Sequence, residues 1–273
     1  RVRIEHGLEE LIRERTLACV SRGGRFRVAL PTVYEMERDL AAWFTSGLGP
    51  NPHRAQLAGV TATAQIAAAA IAAPLTVPQR TALVAAQQHR VVVISGAAGS
   101  GKSVLIGAIS RLYEHHGLRV VLTAPSGKAA RRLEEVVGRT AYTIHRLLGY
   151  QGQEFTRTEP IDTDVVIVDE VSMVDVELAW HLVRAIDLQR TAVVLVGDHN
   201  QLPPVGAGNL LRDLIDRRPV PTVVLDQVVR QAGVLRENSL AILRGEVRRT
   251  AAADATGHAP WHVLARFTEV EEA

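Results

Sequence analysis

Gly96, Ala97, Ala98, Gly99, Ser100, Gly101, Lys102 and Ser103 form the stretch with the most specific chemistry in this chain. They fit the spacing G-x-x-x-x-G-K-[ST], directly after the apolar run 91–94 and before an apolar-periodic segment containing Val104, Leu105 and Ile109. Glycines at these positions let the backbone curl so that successive N–H groups converge on phosphate oxygens. A helix starting at the end of the loop adds positive potential there. In such a loop Lys102 reaches the β- and γ-phosphates and Ser103 ligates Mg²⁺, so the whole stretch reads as a nucleotide-phosphate cradle. The plainer alternative, a glycine-rich turn, does not require strand, loop, Lys-Ser pair and helix to coincide.

A second acidic element supports this reading. Residues 165–168 are Val, Val, Ile and Val, and they deliver Asp169 and Glu170 to a strand's carboxyl end, where open α/β sheets place their ligands. Asp169 is then expected to hold Mg²⁺ and Glu170 to orient or deprotonate an attacking water. Taken alone, two acids after an apolar run also describe a solvated strand end.

The elements that must position these groups can be read from periodicity. Apolar runs at 91–94, 120–123, 165–168, 192–196 and 222–225 alternate with helical stretches and lack polar alternation. That is the pattern of parallel strands covered by helices on both faces, an α/β fold. Upstream, residues 1–49 read as a small α/β module: an apolar-periodic segment at Leu8, Leu11 and Ile12, a strand at 25–30, and a helix beginning near Thr32. Thr32 and Glu35 have capping-box spacing there. An Ala-rich helix then runs to Ala73, and Pro74 and Pro78 mark a linker. The expected layout is an N-terminal module over 1–73, an ATPase domain over 74–250 and a further segment over 251–273.

Composition excludes several classes. Hydrophobic residues make up 47% of the 273 residues, enough for a soluble globular core, and the longest apolar stretch is too short to span a bilayer, so no membrane partner is expected. The single cysteine, Cys19, rules out an intrachain disulfide and fits a cytoplasmic location. A net charge of +2 does not announce a nucleic-acid binder, so any DNA footprint must be local. Lys128, Arg131 and Arg132 cluster, as do Arg244, Arg248 and Arg249, and both runs read first as solvated helix faces.

Two longer stretches carry a family resemblance. Residues 169–175 (Asp-Glu-Val-Ser-Met-Val-Asp) and 197–206 (Gly-Asp-His-Asn-Gln-Leu-Pro-Pro-Val-Gly) resemble motifs II and III of the RecD-like helicases of superfamily 1. The likeness extends over most of 75–246 and implies one RecA-like P-loop NTPase domain. It implies that Gln201 contacts the γ-phosphate, that Asp198 supports the metal site and that Arg230, in Val-Val-Arg-Gln, is a motif IV arginine neutralising transition-state charge. Asn200 stands where the family usually has an acid and Pro204 where it has a small polar residue. Gln79 resembles the family's adenine-reading glutamine, although Thr76 and Gln79 also have capping-box spacing. Residues 123–130 resemble motif Ia and 143–148 the DNA-touching segment after it, so Pro125, Ser126, Lys128, Thr143 and His145 are the candidate DNA contacts, with a packed or surface histidine as the alternative for His145. A hairpin around Gly152, within 149–163, matches the position of the family's duplex-splitting pin or is an ordinary exposed turn.

The resemblance therefore implies an ATP- and Mg²⁺-dependent DNA helicase motor, acting on single-stranded DNA with 5′ to 3′ polarity in repair or recombination. Its partner is a second RecA-like motor domain not in this chain, since nothing after Arg230 recognisably supplies the later motifs. Two alternatives stay open: a nucleotide-gated single-strand-binding or regulatory module that does not unwind, and the helicase part of a conjugative relaxase.

Overall fold

The computed structural model describes residues 2–22, 25–57, 75–152 and 154–226. The expected Ala-rich helix ending at Ala73, Arg230 and the segment 251–273 lie outside the described residues.

Six parallel strands form the central sheet: β3 (Val91–Gly96), β4 (Val120–Ala124), β5 (Ala141–Thr143), β8 (Val165–Val168), β9 (Ala192–Gly197) and β10 (Thr222–Leu225). Their order across the sheet is β10-β3-β9-β8-β4-β5, every pairing parallel. β3, β8 and β9 are buried at every position. Alternation of side chains along these strands divides them between two cores. Val92, Ile94, Val165, Ile167, Val194 and Val196 belong to one cluster, and Val91, Val93, Val166, Val168, Val193 and Leu195 to the other. Both faces are apolar because both are covered, which is why the sequence shows continuous runs instead of polar alternation.

On the first face pack α3 (Val77–Gln88), α4 (Lys102–His115) and α5 (Gly127–Val137), contributing Leu83, Ile106, Ile109 and Leu133 to the core. The second face is covered by α2 (Pro31–Ser46), α7 (Val176–Arg184) and α8 (Leu210–Arg217). Leu40 and Phe44 of α2 share this core with the sheet, and Trp180 on α7 donates its indole N–H to Asp39 at 3.0 Å. An antiparallel ribbon of β1 (Ala18–Arg22) and β2 (Arg25–Ala29), with α1 (Val2–Arg13), precedes α2. The doubly covered parallel sheet is the α/β, RecA-like architecture that the motifs implied.

One local expectation changes. Helix α2 starts at Pro31, not at Thr32: Leu30 is its N-cap and makes no side-chain cap bond. Proline at the first helical position has φ already set for the helix and lacks the N–H that would go unpaired, so the Thr32–Glu35 capping box is not needed. At Thr76–Gln79 the box does form, as described below. The hairpin around Gly152 is present, with β6 (Tyr150–Gln151) paired antiparallel to β7 (Glu154–Phe155) and Gly152 at φ +75° in the turn. Among the described residues no helix is long and apolar enough to cross a membrane.

Candidate functional site

β3 ends at Gly96 and α4 begins at Lys102, so residues 96–101 form the connecting loop at the carboxyl edge of the sheet. Gly101 caps α4 in the left-handed region at φ +82°, a conformation that any side chain would strain. Gly96 is required for a different reason: a Cβ there would meet the Ser100 hydroxyl at 2.4 Å and the Leu225 Cβ at 2.9 Å. The Ser100 Oγ is itself buried with no hydrogen-bond partner in the structure. Lys102 folds back over the loop and donates to the carbonyls of Gly96 at 2.6 Å and Ala97 at 3.2 Å, with the Asp198 carboxylate 3.9 Å away.

Much of this loop lines a single pocket. Ala98, Gly99, Gly101, Lys102 and Ser103 form one wall, Asp169, Glu170 and Gln201 another, and Ala129, Arg132 and Leu133 of α5 a third. Lys102, Ser103, Asp169, Glu170 and Gln201, separated by up to 99 positions in the chain, are thus brought together as the sequence expected.

Asp169 is 8% exposed, and its pKa is pushed up to about 6. Burial is the main cause and the neighbouring Glu170 adds to it, while the Glu170 N–H, Lys102 and Arg132 pull in the other direction. The Glu170 backbone occupies the left-handed region at φ 53°, ψ 41°, uncommon for a residue with a Cβ, and its N–H donates to Asp169 Oδ1 at 2.9 Å. Both carboxylates line the pocket, Asp169 buried and Glu170 partly exposed. Gln201 then donates through Nε2 to Glu170 Oε2 at 3.3 Å and accepts from the Ser172 hydroxyl at 3.4 Å. Asp198 Oδ1 accepts from the Asn200 N–H at 3.0 Å, and the His199 Nδ1 lies 2.7 Å from the Ser95 hydroxyl on β3.

Gln79, expected to read adenine with a capping box as the alternative, forms the box. It is 3% exposed, its Oε1 accepts from the Thr76 N–H at 2.8 Å, and its Nε2 donates to the carbonyls of Ser100 at 3.2 Å and Gly101 at 3.5 Å. Both ends of the amide are engaged by backbone, and the Thr76 hydroxyl accepts from the Gln79 N–H at 3.4 Å to complete the capping box. The same side chain closes the start of α3 and braces the phosphate loop.

The candidate DNA residues fall together on the next part of the sheet edge. β4 and β5 are neighbours, with Ala124 opposite Thr143, so Pro125 and Ser126 lie beside Thr143 and His145. The two hydroxyls cap helices: Ser126 accepts from the Ala129 N–H at 3.2 Å and Thr143 from the Arg146 N–H at 3.1 Å. Lys128 is exposed. The His145 ring stacks on Phe155 with centroids 5.7 Å apart and meets Tyr150 edge-on at 5.1 Å, so the packed alternative for this histidine describes its surroundings.

Lys128, Arg131 and Arg132 are all exposed, as a solvated basic face requires, and Arg132 in addition lines the pocket. The signal was available: Ala129, Arg132 and Leu133 recur at i, i+3 and i+4, one face of a helix whose apolar side must be buried. The Ser95–His199 pair had no sequence signal, because it depends on the register that puts Ser95 opposite Gly197.

Residues 74–262 match the family described as AAA domain. The chain is similar to the ATP-dependent RecD2 DNA helicase of Deinococcus radiodurans, with 51% identity over 146 residues, 53% of this chain and 20% of that protein. It is 34% identical over 166 residues to the RecBCD enzyme subunit RecD of Mycolicibacterium smegmatis, covering 50% of this chain and 30% of that one. A Pif1 helicase structure from Candida albicans aligns at 27% identity and a TM-score of 0.47, over 64% of this chain and 45% of that one. The chain thus spans less than a third of the length of these two curated relatives. By the matched family the chain belongs to the AAA-domain family, and the motifs gathered around its phosphate loop are similar to those of the RecD-like helicases.

Proposed function

We propose that this chain is the first motor domain of an ATP-dependent DNA helicase, which binds and hydrolyses ATP to move along single-stranded DNA and unwind duplex, with 5′ to 3′ polarity, in repair or recombination. The observation that carries this reading is the convergence of Lys102, Ser103, Asp169, Glu170 and Gln201 on one pocket at the carboxyl edge of the sheet. In this reading Lys102 leaves the Gly96 and Ala97 carbonyls to neutralise the β- and γ-phosphates, and Glu170 orients the attacking water and takes its proton. Gln201, already hydrogen-bonded to Glu170, relates the terminal phosphate to the motif III loop.

Ser103 and Asp169 are the residues that would hold Mg²⁺. Their fit rests on Asp169, a buried carboxyl disfavoured as an anion, whose charge a divalent cation would offset. Bound there, the cation neutralises charge on the phosphate oxygens. Arg230 is proposed as the motif IV arginine, and Gln79 as a brace of the phosphate loop whose contact with adenine would require release from Ser100. Single-stranded DNA is proposed to run past Pro125, Ser126, Lys128, Thr143 and His145, where helix N-termini and an exposed lysine suit backbone phosphates. Closure over the nucleotide would come from a second RecA-like domain, and the expected layout of 1–73, 74–250 and 251–273 is retained as part of the proposal.

The test is turnover in the full-length protein. Lys102→Ala and Glu170→Gln are each expected to abolish DNA-stimulated ATP hydrolysis while the protein remains folded. Wild-type turnover in either variant overturns the assignment.

A further inference from the structure

Helix α5 connects two places that the proposed mechanism treats separately. Its N-cap Ser126 and the exposed Lys128 stand at the candidate DNA edge, and one turn later Ala129, Arg132 and Leu133 line the nucleotide pocket. The helix is a single 11-residue element, so its two ends move together.

The charge in that pocket is unevenly distributed. Asp169 and Glu170 line it with Lys102, and Asp198 stands 3.9 Å from the Lys102 ammonium. A nucleoside triphosphate with one divalent cation brings a further net charge of about −2. The helix α4 N-terminus and Lys102 answer part of this, but repulsion among carboxylates and phosphates leaves a place for another cation. Among the described residues that line the pocket, Arg132 is the other cationic side chain, and it makes no ion pair with any described carboxylate. A guanidinium is a planar fork of donors matched to phosphate oxygens, and it stays charged at any relevant pH.

We propose that Arg132 is a substrate-contacting residue that binds the terminal phosphate of the nucleoside triphosphate, so that α5 and the DNA-side residues at its start register whether that phosphate is present. As water adds to the γ-phosphorus and the bond to the β–γ bridging oxygen breaks, negative charge grows on the bridging oxygen. Arg132 holds the γ-phosphate oxygens during that transfer, while the water's proton passes to Glu170. After hydrolysis the contact is lost with the departing phosphate, and α5 is released.

This inference rests on the nucleotide site proposed above, and the experiment separates the two. In the full-length protein, with Mg²⁺, affinities for ATPγS and ADP are measured by displacement of a fluorescent nucleotide, alongside single-strand-stimulated ATP turnover. Arg132→Ala is expected to weaken ATPγS about tenfold or more with ADP affinity unchanged. Turnover should fall about a hundredfold. Arg132→Lys, which keeps the charge, should recover part of the ATPγS affinity. Equal weakening of ATPγS and ADP, or wild-type behaviour in both assays, overturns the role given to Arg132. Lys102→Ala is the control for the underlying site: if it leaves binding and turnover intact, the nucleotide reading itself falls. If it abolishes turnover while Arg132→Ala has no effect, only the Arg132 inference does. Arg132 is exposed, so its variants should keep the wild-type melting temperature.

Discussion

Gln201 Nε2 donates to Glu170 Oε2 at 3.3 Å, joining the loop after β9 to the carboxylate that follows β8. The bond orients Glu170 through a neutral donor. Gln201→Glu replaces that donor with a second carboxylate of nearly the same shape, so the two side chains repel. In the full-length protein this substitution should lower kcat for ATP hydrolysis about a hundredfold while leaving ADP affinity near wild type. Steady-state turnover with single-stranded DNA is the measurement, and an unchanged kcat would show that the bond does not position Glu170.

The Asp169 carboxyl has an opposite-signed effect on stability and chemistry. Its pKa rises from 3.8 to about 6 on folding, so between those values the folded protein holds a proton that the unfolded chain has lost. Stability therefore falls as pH rises from about 4 toward 6 and stays at the lower level above. Asp169→Asn removes this cost and should stabilise the nucleotide-free, Mg²⁺-free protein by roughly 1–3 kcal/mol at pH 7.5, with little difference near pH 4. Urea unfolding at the two pH values checks it, and a pH-independent difference would contradict it.

A Cβ at Gly101 would meet the Gln79 Nε2 at 2.3 Å, in a backbone conformation that side chains already resist. Gly101→Ala should cost about 1–3 kcal/mol and loosen the phosphate loop. Part of that cost belongs to the pair. In a Gln79→Ala background the same substitution should cost less, so thermal melts of the double-mutant cycle should reveal coupling between the two positions.

Phe44 is 3% exposed and packs with Leu40 in the core beneath the second face of the sheet. Phe44→Ala should destabilise the nucleotide-binding fold by about 3–5 kcal/mol, although the residue is remote in sequence from every motif. Denaturant unfolding monitored through bound fluorescent nucleotide should report the loss at the phosphate site. Unaltered stability would mean that α2 packs without contributing to the fold.

Much of this architecture was readable because its causes are local. Residues 91–94 and 165–168 are continuous apolar runs, and only strands buried on both faces tolerate them. The phosphate loop was readable because glycine, lysine and serine must each stand where backbone curvature and charge require. What escaped depended on distant chain segments. β5 has three residues and owes its pairing to β4, and β1 is visible only through its partner β2. Gln79 offered two roles on sequence, and only the approach of Ser100 in space shows what its amide does in the folded chain. Arg132 carries no separate signal within its basic cluster, because the cluster is solvated and only the packing of Leu133 beside it brings that helix face to the pocket.

The shared core of α2 separates two boundaries that a linear reading merges. A cut at the linker after residue 73 respects the order of motifs, yet it would strip Leu40 and Phe44 from the core they share with Val91, Val93 and Leu195. A piece that keeps this shared core intact therefore starts upstream of Pro31. Helix α2 precedes the linker in sequence yet packs into the core behind the strands that lead to the nucleotide pocket.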